Sequence, residues 1–557
     1  MFTFSGNLLA GQYDTQKQRS PPPKPTPVTF PALHPPGPSP QAPPASWSQP
    51  GARIKDHFLR LKKPSDVTEE TLALLNVTFQ PESDLETFLS SLSNNAESFL
   101  PPRSWFDSPG EQLSNTATPP KLLSNGRKAP EQRDFFVRSR ELLFNNADAY
   151  STLTRKGCGS QPPLRLAHFR KFWEGLDNLA YYWDTSLDEY LPPPQGANSD
   201  ERTASNPLSG STDTNPQEAS AETDPERVSA PKGTNKKAEN TLADVPRGTY
   251  RGYRIGNGAG MPDQYRIECV RSFLEPITWA FGVTLFPHRR PPVLTIEHIR
   301  FPVRMSSVAW RGPQDRIKAR QGCLEGPVLG MQCRADVNFG ATGKLEAQST
   351  LDAVRELGGL LLLAQERARE GKCEQRAGEG KWWTTKERWG GGPGGEVGEA
   401  IGVAEILEKD AVSKPEEKPV ERNRDGSKAR RRPTPAEVWK TLRPGNPLWD
   451  PKVTYEAIGK DRTIAWDDVF MVSSLNHHIS LLRLRIHPAY LELITEGRHP
   501  VETPPESDWC SPKLQRTRWF DLFNIEDRAE AMRGVWGIMS YLMRTDSAGH
   551  GNAGMSE

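Results

Sequence analysis

Residues 247–310 read RGTYRGYRIGNGAGMPDQYRIECVRSFLEPITWAFGVTLFPHRRPPVLTIEHIRFPVRMSSVAW. This is the longest segment without a low-complexity interruption, and its reading sets the expected fold. It opens with a basic aromatic run over 249–255 that suits a strand, followed by a glycine loop at Gly256, Gly258 and Gly260. A helix follows. Pro262 fits a helix start because its missing N–H costs nothing there, Asp263 complements the N-terminal dipole, and Gly282 stops the pattern. Between them Ile267, Val270, Phe273, Leu274 and Ile277 recur at helical spacing, opposite Arg266, Glu268 and Arg271. Pro276 should kink the last turn by removing one backbone donor. Beyond the helix, 293–299 and 301–310 read as strands on β-branched and aromatic content, with Pro302 restricting the second to an edge or a bulge.

Outward from this stretch the composition is uneven. The chain has 557 residues, of which 52 are Pro and 45 Gly, and only 35% are hydrophobic. Such a mixture leaves too little apolar surface to fill the length with cores, so ordered segments should alternate with solvated ones. The expected organisation is a disordered Pro-rich tail (1–50), a helical region (51–194), a disordered linker (195–246), the central α/β region with its glycine loop (247–371), a disordered Gly-rich and basic insertion (372–434), a C-terminal helical region (435–546) and a disordered tail (547–557). The fold class expected is α+β, mainly α-helical, with the three ordered regions forming a composite globular body interrupted by long disordered insertions.

Within those regions the helical pattern is clearest at Leu166, Phe169, Phe172, Trp173, Leu176, Leu179, Ala180 and Trp183, whose steps of three and four make one broad apolar face. Ser349 and Asp352 resemble a capping box ahead of Leu351, Val354, Leu357, Leu361 and Ala364. Asp467 or Asp468 is expected to cap a helix carrying Leu475, Ile479, Leu482 and Ile486. Asn524 is expected to cap another, on which Ala529, Met532, Trp536, Met539 and Met543 form a seam while Gly534, Gly537 and Ser540 leave room for a neighbour.

Several function classes are poorly supported. Net charge is +1, from 71 Lys+Arg against 70 Asp+Glu, so the basic excess of a general nucleic-acid binder is missing. Cys158, Cys269, Cys323, Cys333, Cys373 and Cys510 contain no Cys-x-x-Cys pair, which argues against a zinc site or a disulfide framework. No secretory signal and no bilayer-spanning run is read, so the chain is expected to be neither secreted nor transmembrane, nuclear and/or cytoplasmic, with no membrane partner. His477 and His478 are adjacent, and on the expected helix such neighbours diverge from a shared ion, so no metal site is expected. No catalytic residue and no cofactor is assigned.

Three motifs carry functional candidates. Gly256, Gly258 and Gly260, with Arg251, Arg254 and Arg266 nearby, place glycines before a helix start as in an anion site, although the Gly-x-Gly-x-Gly spacing departs from the dinucleotide fingerprint. Lys428, Arg430, Arg431 and Arg432 resemble a short basic nuclear-import signal in a flexible loop. Trp382, Trp383 and Trp389, interleaved with cations, suit docking of a protein partner or of the chain itself more than stacking on nucleic acid. The reading that fits best is a non-enzymatic interaction or regulatory protein with modifiable disordered insertions and protein partners. The alternative is an enzyme or ligand-binding protein using the 256–260 loop. The third is a nuclear nucleic-acid-associated factor.

Overall fold

A computed structural model describes residues 22–31, 53–61, 63–90, 92, 99–110, 121–153, 164–186, 188–190, 250–287, 292–321, 323–340, 347–371, 381–382 and 454–545. In chain order the elements are α1 (Ile54–Arg60), α2 (Glu69–Leu75), β1 (Thr78–Phe79), α3 (Leu85–Ser90), α4 (Gln132–Leu142), α5 (Asn146–Leu153) and α6 (Arg170–Trp183). Then follow α7 (Asp263–Ala280), β2 (Val283–Pro287), β3 (Val293–Ile296), β4 (Ile299–Pro302), β5 (Ser307–Arg311), α8 (Arg316–Arg320), β6 (Cys323–Arg334), α9 (Ala347–Ala368) and β7 (Lys381–Trp382). The last set is β8 (Thr454–Glu456), β9 (Asp467–Leu475), β10 (His478–Ile486), α10 (Pro488–Glu496), β11 (Lys513–Arg516), β12 (Phe520–Asp521) and α11 (Ile525–Leu542).

The expected helix over 467–486 is instead the centre of a sheet. β9 and β10 form a hairpin in register from Leu475↔His478 to Asp467↔Ile486. Asn476 turns it in the left-handed region at φ 57°, as a tight two-residue hairpin turn requires of one of its residues. The helical reading fails for a physical reason: both faces of this hairpin are covered, so Val469, Phe470, Met471 and Val472 run apolar without a break and the period of two is lost there. Asp467 and Asp468 are strand residues rather than caps. Asp467 accepts two 2.8 Å bonds from Arg367, and Asp468 accepts one of 2.7 Å from Arg483.

Around this hairpin a mixed nine-stranded sheet runs in the order β1-β11-β10-β9-β6-β5-β2, with β12 on β10 and β8 on β6. β6 and β9 are parallel, whereas β5 is antiparallel to β6 and β11 to β10. The architecture is therefore mixed α/β, with a nine-stranded sheet that the mainly helical reading did not include. A small second sheet, β3-β4-β7, stands apart. The expected strand over 301–310 is split between the two sheets, because Pro302 ends β4 and the chain crosses to β5.

Helices cover both faces. Alternate residues of β9 point to opposite sides: Phe470 and Val472 share one core cluster with Phe88, Phe135, Trp173, Phe273 and Trp536 of the helices on one face. Val469 and Met471 share the second cluster with Leu72, Leu357, Leu361 and Tyr490 on the other. Each cluster draws residues from all three of the regions 51–194, 247–371 and 435–546. Close approach of α9 to the sheet depends on small residues, since a β-carbon at Gly330 would lie 2.6 Å from Leu363 and one at Gly359 3.1 Å from Met471. On α11, Gly534 and Gly537 admit Leu85 and Leu89 of α3 in the same way.

α7, with Pro276 inside it, and α11, with the Asn524 side chain accepting from the Glu526 and Asp527 amides, follow the expected boundaries within a residue or two. Three local expectations change. Ser349 and Asp352 lie inside α9, which begins earlier, so they form no capping box. Residues 251–257 make no strand: Arg251 N donates to Glu189 O and Ile255 N to Tyr181 O, which ties the segment beside α6. Part of the Pro-rich tail lies on the body, with Thr29 N donating to Val337 O at 2.9 Å and Phe30 stacked 5.4 Å from Trp519.

Candidate functional site

The glycine loop is a short turn, Gly258–Gly260, capped by Asn257, whose side chain accepts from Gly260 N. Gly256 packs on Tyr182 and Gly258 on Trp183. The nearby cations have protein partners. Arg254, 1% exposed, pairs with Asp188 at 2.6 Å and also donates to the carbonyls of Pro23 and Gly256. Arg266 donates to Asn476 at 2.9 Å and pairs with Asp263. Arg251 is half-buried at the surface. The side chain of Trp382, and Trp383, Trp389, Lys428, Arg430, Arg431 and Arg432, lie outside the described residues.

A different cationic group, not singled out from the sequence, gathers on the sheet. Register pairs Arg483 with Gln515 and Arg485 with Lys513 across β10 and β11, so all four side chains share one face. With Gln80 and Trp466 they line an open cavity of about 240 Å³. Lys513 Nζ lies 5.6 Å from the Trp466 ring centroid and the Arg485 guanidinium 6.0 Å from it. The indole thus forms an aromatic side to a basic pocket.

Three cations line the pocket, with Asp468, Asp508 and, at longer range, Asp461 as their carboxylates. Arg483 pairs with Asp468 at 2.7 Å and Lys513 with Asp508 at 2.7 Å. The hydrogen bond from Lys513 holds the Asp508 carboxyl below its usual range. Arg485 makes no ion pair among the described residues. The guanidinium fork of Arg485 beside a lysine ammonium suits a phosphate or carboxylate oxygen, which such groups bind through charge-assisted hydrogen bonds. One signal in the sequence could have found this site, the i, i+2 spacing of Arg483 and Arg485, which is legible only when the segment is read as a strand.

His477 and His478 sit at the hairpin tip, so the divergence expected of adjacent residues on a helix does not apply to them. Buried thiols are poor nucleophile candidates: Cys269 and Cys333 are pushed up by burial, Cys333 to about 11. No helix among the described residues is long and apolar enough to cross a membrane. Comparison with family models, with curated proteins and with solved structures finds no match.

Proposed function

We propose that this chain is a non-enzymatic binding protein that receives an acidic group of a protein partner, phosphate or carboxylate, in the pocket of Arg483, Arg485 and Lys513. The observation that carries the reading is Arg485, a half-buried guanidinium beside Lys513 and Trp466 that makes no close ion pair among the described residues and acts only at longer range on Asp461 and Asp508. Size supports a group rather than a whole cofactor. The cavity of about 240 Å³ falls below the range of roughly 300 to 1,000 Å³ in which drug-sized ligands and cofactors are enclosed.

Thermal-shift and binding measurements with a phosphoserine peptide, its unphosphorylated form and inorganic phosphate test this. Wild type should bind the phosphorylated peptide with an affinity that falls as salt rises. Arg485→Ala and Lys513→Ala should each weaken it about tenfold, as loss of about 1.4 kcal/mol of charge-assisted bonding would. Equal binding by wild type and both variants, or no binding by wild type to any of the three, overturns the reading.

A further inference from the structure

The hairpin tip brings together three side chains whose separation in sequence conceals them. His477 is the second turn residue, and His478 opens β10 directly across from Asp521 of β12. His477 Nε2 lies 3.8 Å from Asp521 Oδ1, and His478 Nε2 lies 4.0 Å from Asp521 Oδ2. One donor atom from each of the three lies within 4.8 Å of the others. These distances are too long for hydrogen bonds. They are close to the separation of about 3.3 to 3.6 Å that tetrahedral ligands with bonds of about 2.0 to 2.2 Å show around zinc.

The donors are also held in place. The Phe523 amide donates to Asp521 Oδ1 at 2.8 Å and orients the carboxylate. The His477 ring is wedged between Trp183, at 5.1 Å, and Phe523, at 4.8 Å, and the His478 ring meets the edge of Phe30 at 4.8 Å. A second observation is independent of the cluster's geometry. His477 is 7% exposed, yet neither ring nitrogen makes a hydrogen bond among the described residues, and Nδ1 is wholly out of solvent. The buried orphan is Nδ1, which an ion on Nε2 would not satisfy; what bears on the site is that Nε2 makes no hydrogen bond among the described residues and keeps its lone pair for a ligand. That Nε2 faces the Asp521 carboxylate.

The geometry points to a metal site at the tip of the β9–β10 hairpin, in which His477, His478 and Asp521 bind one divalent transition-metal ion of the zinc, cobalt or iron(II) class. Two imidazoles and a carboxylate suit these borderline ions better than magnesium or calcium, which prefer all-oxygen shells. Three protein ligands leave a coordination position open. The Asp521 side chain, 35% exposed, provides the approach from solvent. Bound there, the ion ties the hairpin to β12. Through the contacts of Phe30 with His478 and Trp519 it also bears on the docked tail segment.

The test uses the full chain, stripped with chelator and titrated with Zn(II) and Co(II). Expected results are saturation at one ion per chain, a Co(II) absorption band in the visible with the intensity of a four- or five-coordinate nitrogen and oxygen site, and a raised thermal midpoint. His478→Gln and Asp521→Asn should each weaken binding about tenfold or more. Asp521→Asn is nearly isosteric and keeps an oxygen for the Phe523 amide, so it should fold. A wild-type chain without saturable Co(II) absorption overturns the proposal by itself. Saturable binding that Asp521→Asn and His478→Gln leave unchanged also overturns it, because the ion is then held elsewhere.

Discussion

Gly258 lies flat against the indole of Trp183: a β-carbon at this glycine would fall 2.1 Å from Cζ2 and 2.2 Å from Cη2 of the ring. Trp183 is the last residue of α6 and belongs to the main core cluster. The glycine therefore has a packing reason of its own, separate from any ligand. Gly258→Ala should push the indole out of place and cost about 1 to 3 kcal/mol, the usual penalty of overpacking. Urea unfolding checks this, and the loss should be the same with and without phosphate in the buffer.

On the opposite face of the sheet, Glu356 Oε1 collects hydrogen bonds from Arg334 at 3.0 Å, Ser473 at 2.6 Å and Arg516 at 2.9 Å. Arg334 also pairs with Asp352, so α9 is locked to β6, β9 and β11 by two buried carboxylates and two arginines. Removing one member leaves the others charged and out of water. Glu356→Ala should cost about 3 to 5 kcal/mol, and Ser473→Ala, which removes a neutral donor to Glu356 and an acceptor of Arg334, only about 1 to 2. Comparable losses in the two variants, measured by urea unfolding, would mean that the network is not what holds α9.

Arg528 at the start of α11 is buried and makes no ion pair among the described residues, with Asp521 acting on it only at longer range. Its guanidinium donates to the carbonyls of Leu142, Phe144, Leu522 and Phe523 and to the Asn146 side chain, and it lies 4.8 Å over the Trp173 ring. Burial pulls its pKa down to about 10, still well above neutral pH. The planar fork is what reaches carbonyls on both sides, so a compact ammonium cannot replace it. Arg528→Lys should therefore cost about 3 kcal/mol or more through unsatisfied carbonyls. A thermal midpoint within a degree or two of wild type would refute that role.

The parts legible in the sequence were those whose signals are local. α7 and α11 announce themselves by a start residue, a stripe and a stop, all within about twenty positions, and Asn524 caps α11 as its chemistry dictates. The β9–β10 hairpin was illegible because Val469, Phe470, Met471 and Val472 are all buried, half by each layer of helices, and continuous apolar runs carry no period. Once that pair of strands was missed, both candidate sites were out of reach. Arg485 and Lys513 share a face only through β-register, and His478 meets Asp521 only because β12 folds back onto β10.

Asp177 supplies a prediction about pH. It is fully buried on α6, its Oδ1 accepts from the Tyr253 hydroxyl, and its Oδ2 makes no hydrogen bond among the described residues. Burial raises its pKa to about 6, against the opposing pull of the Tyr253 hydrogen bond. Because the folded pKa lies above the unfolded value, the folded chain holds this proton more tightly. The stability it contributes is complete below about pH 4 and is lost as the pH rises through 6. A shift of about two pH units corresponds to about 3 kcal/mol. Asp177→Asn keeps an acceptor for Tyr253 but has no proton to lose. The variant should match wild type near pH 4 and exceed it by up to about 3 kcal/mol at pH 7. Asp352, also raised to about 6 by burial, titrates in the same window in both proteins, so the difference between the two curves isolates Asp177. Urea unfolding at pH 4, 5, 6 and 7 gives that difference, and a flat line would show that the Asp177 carboxyl ionises as readily in the fold as in the open chain.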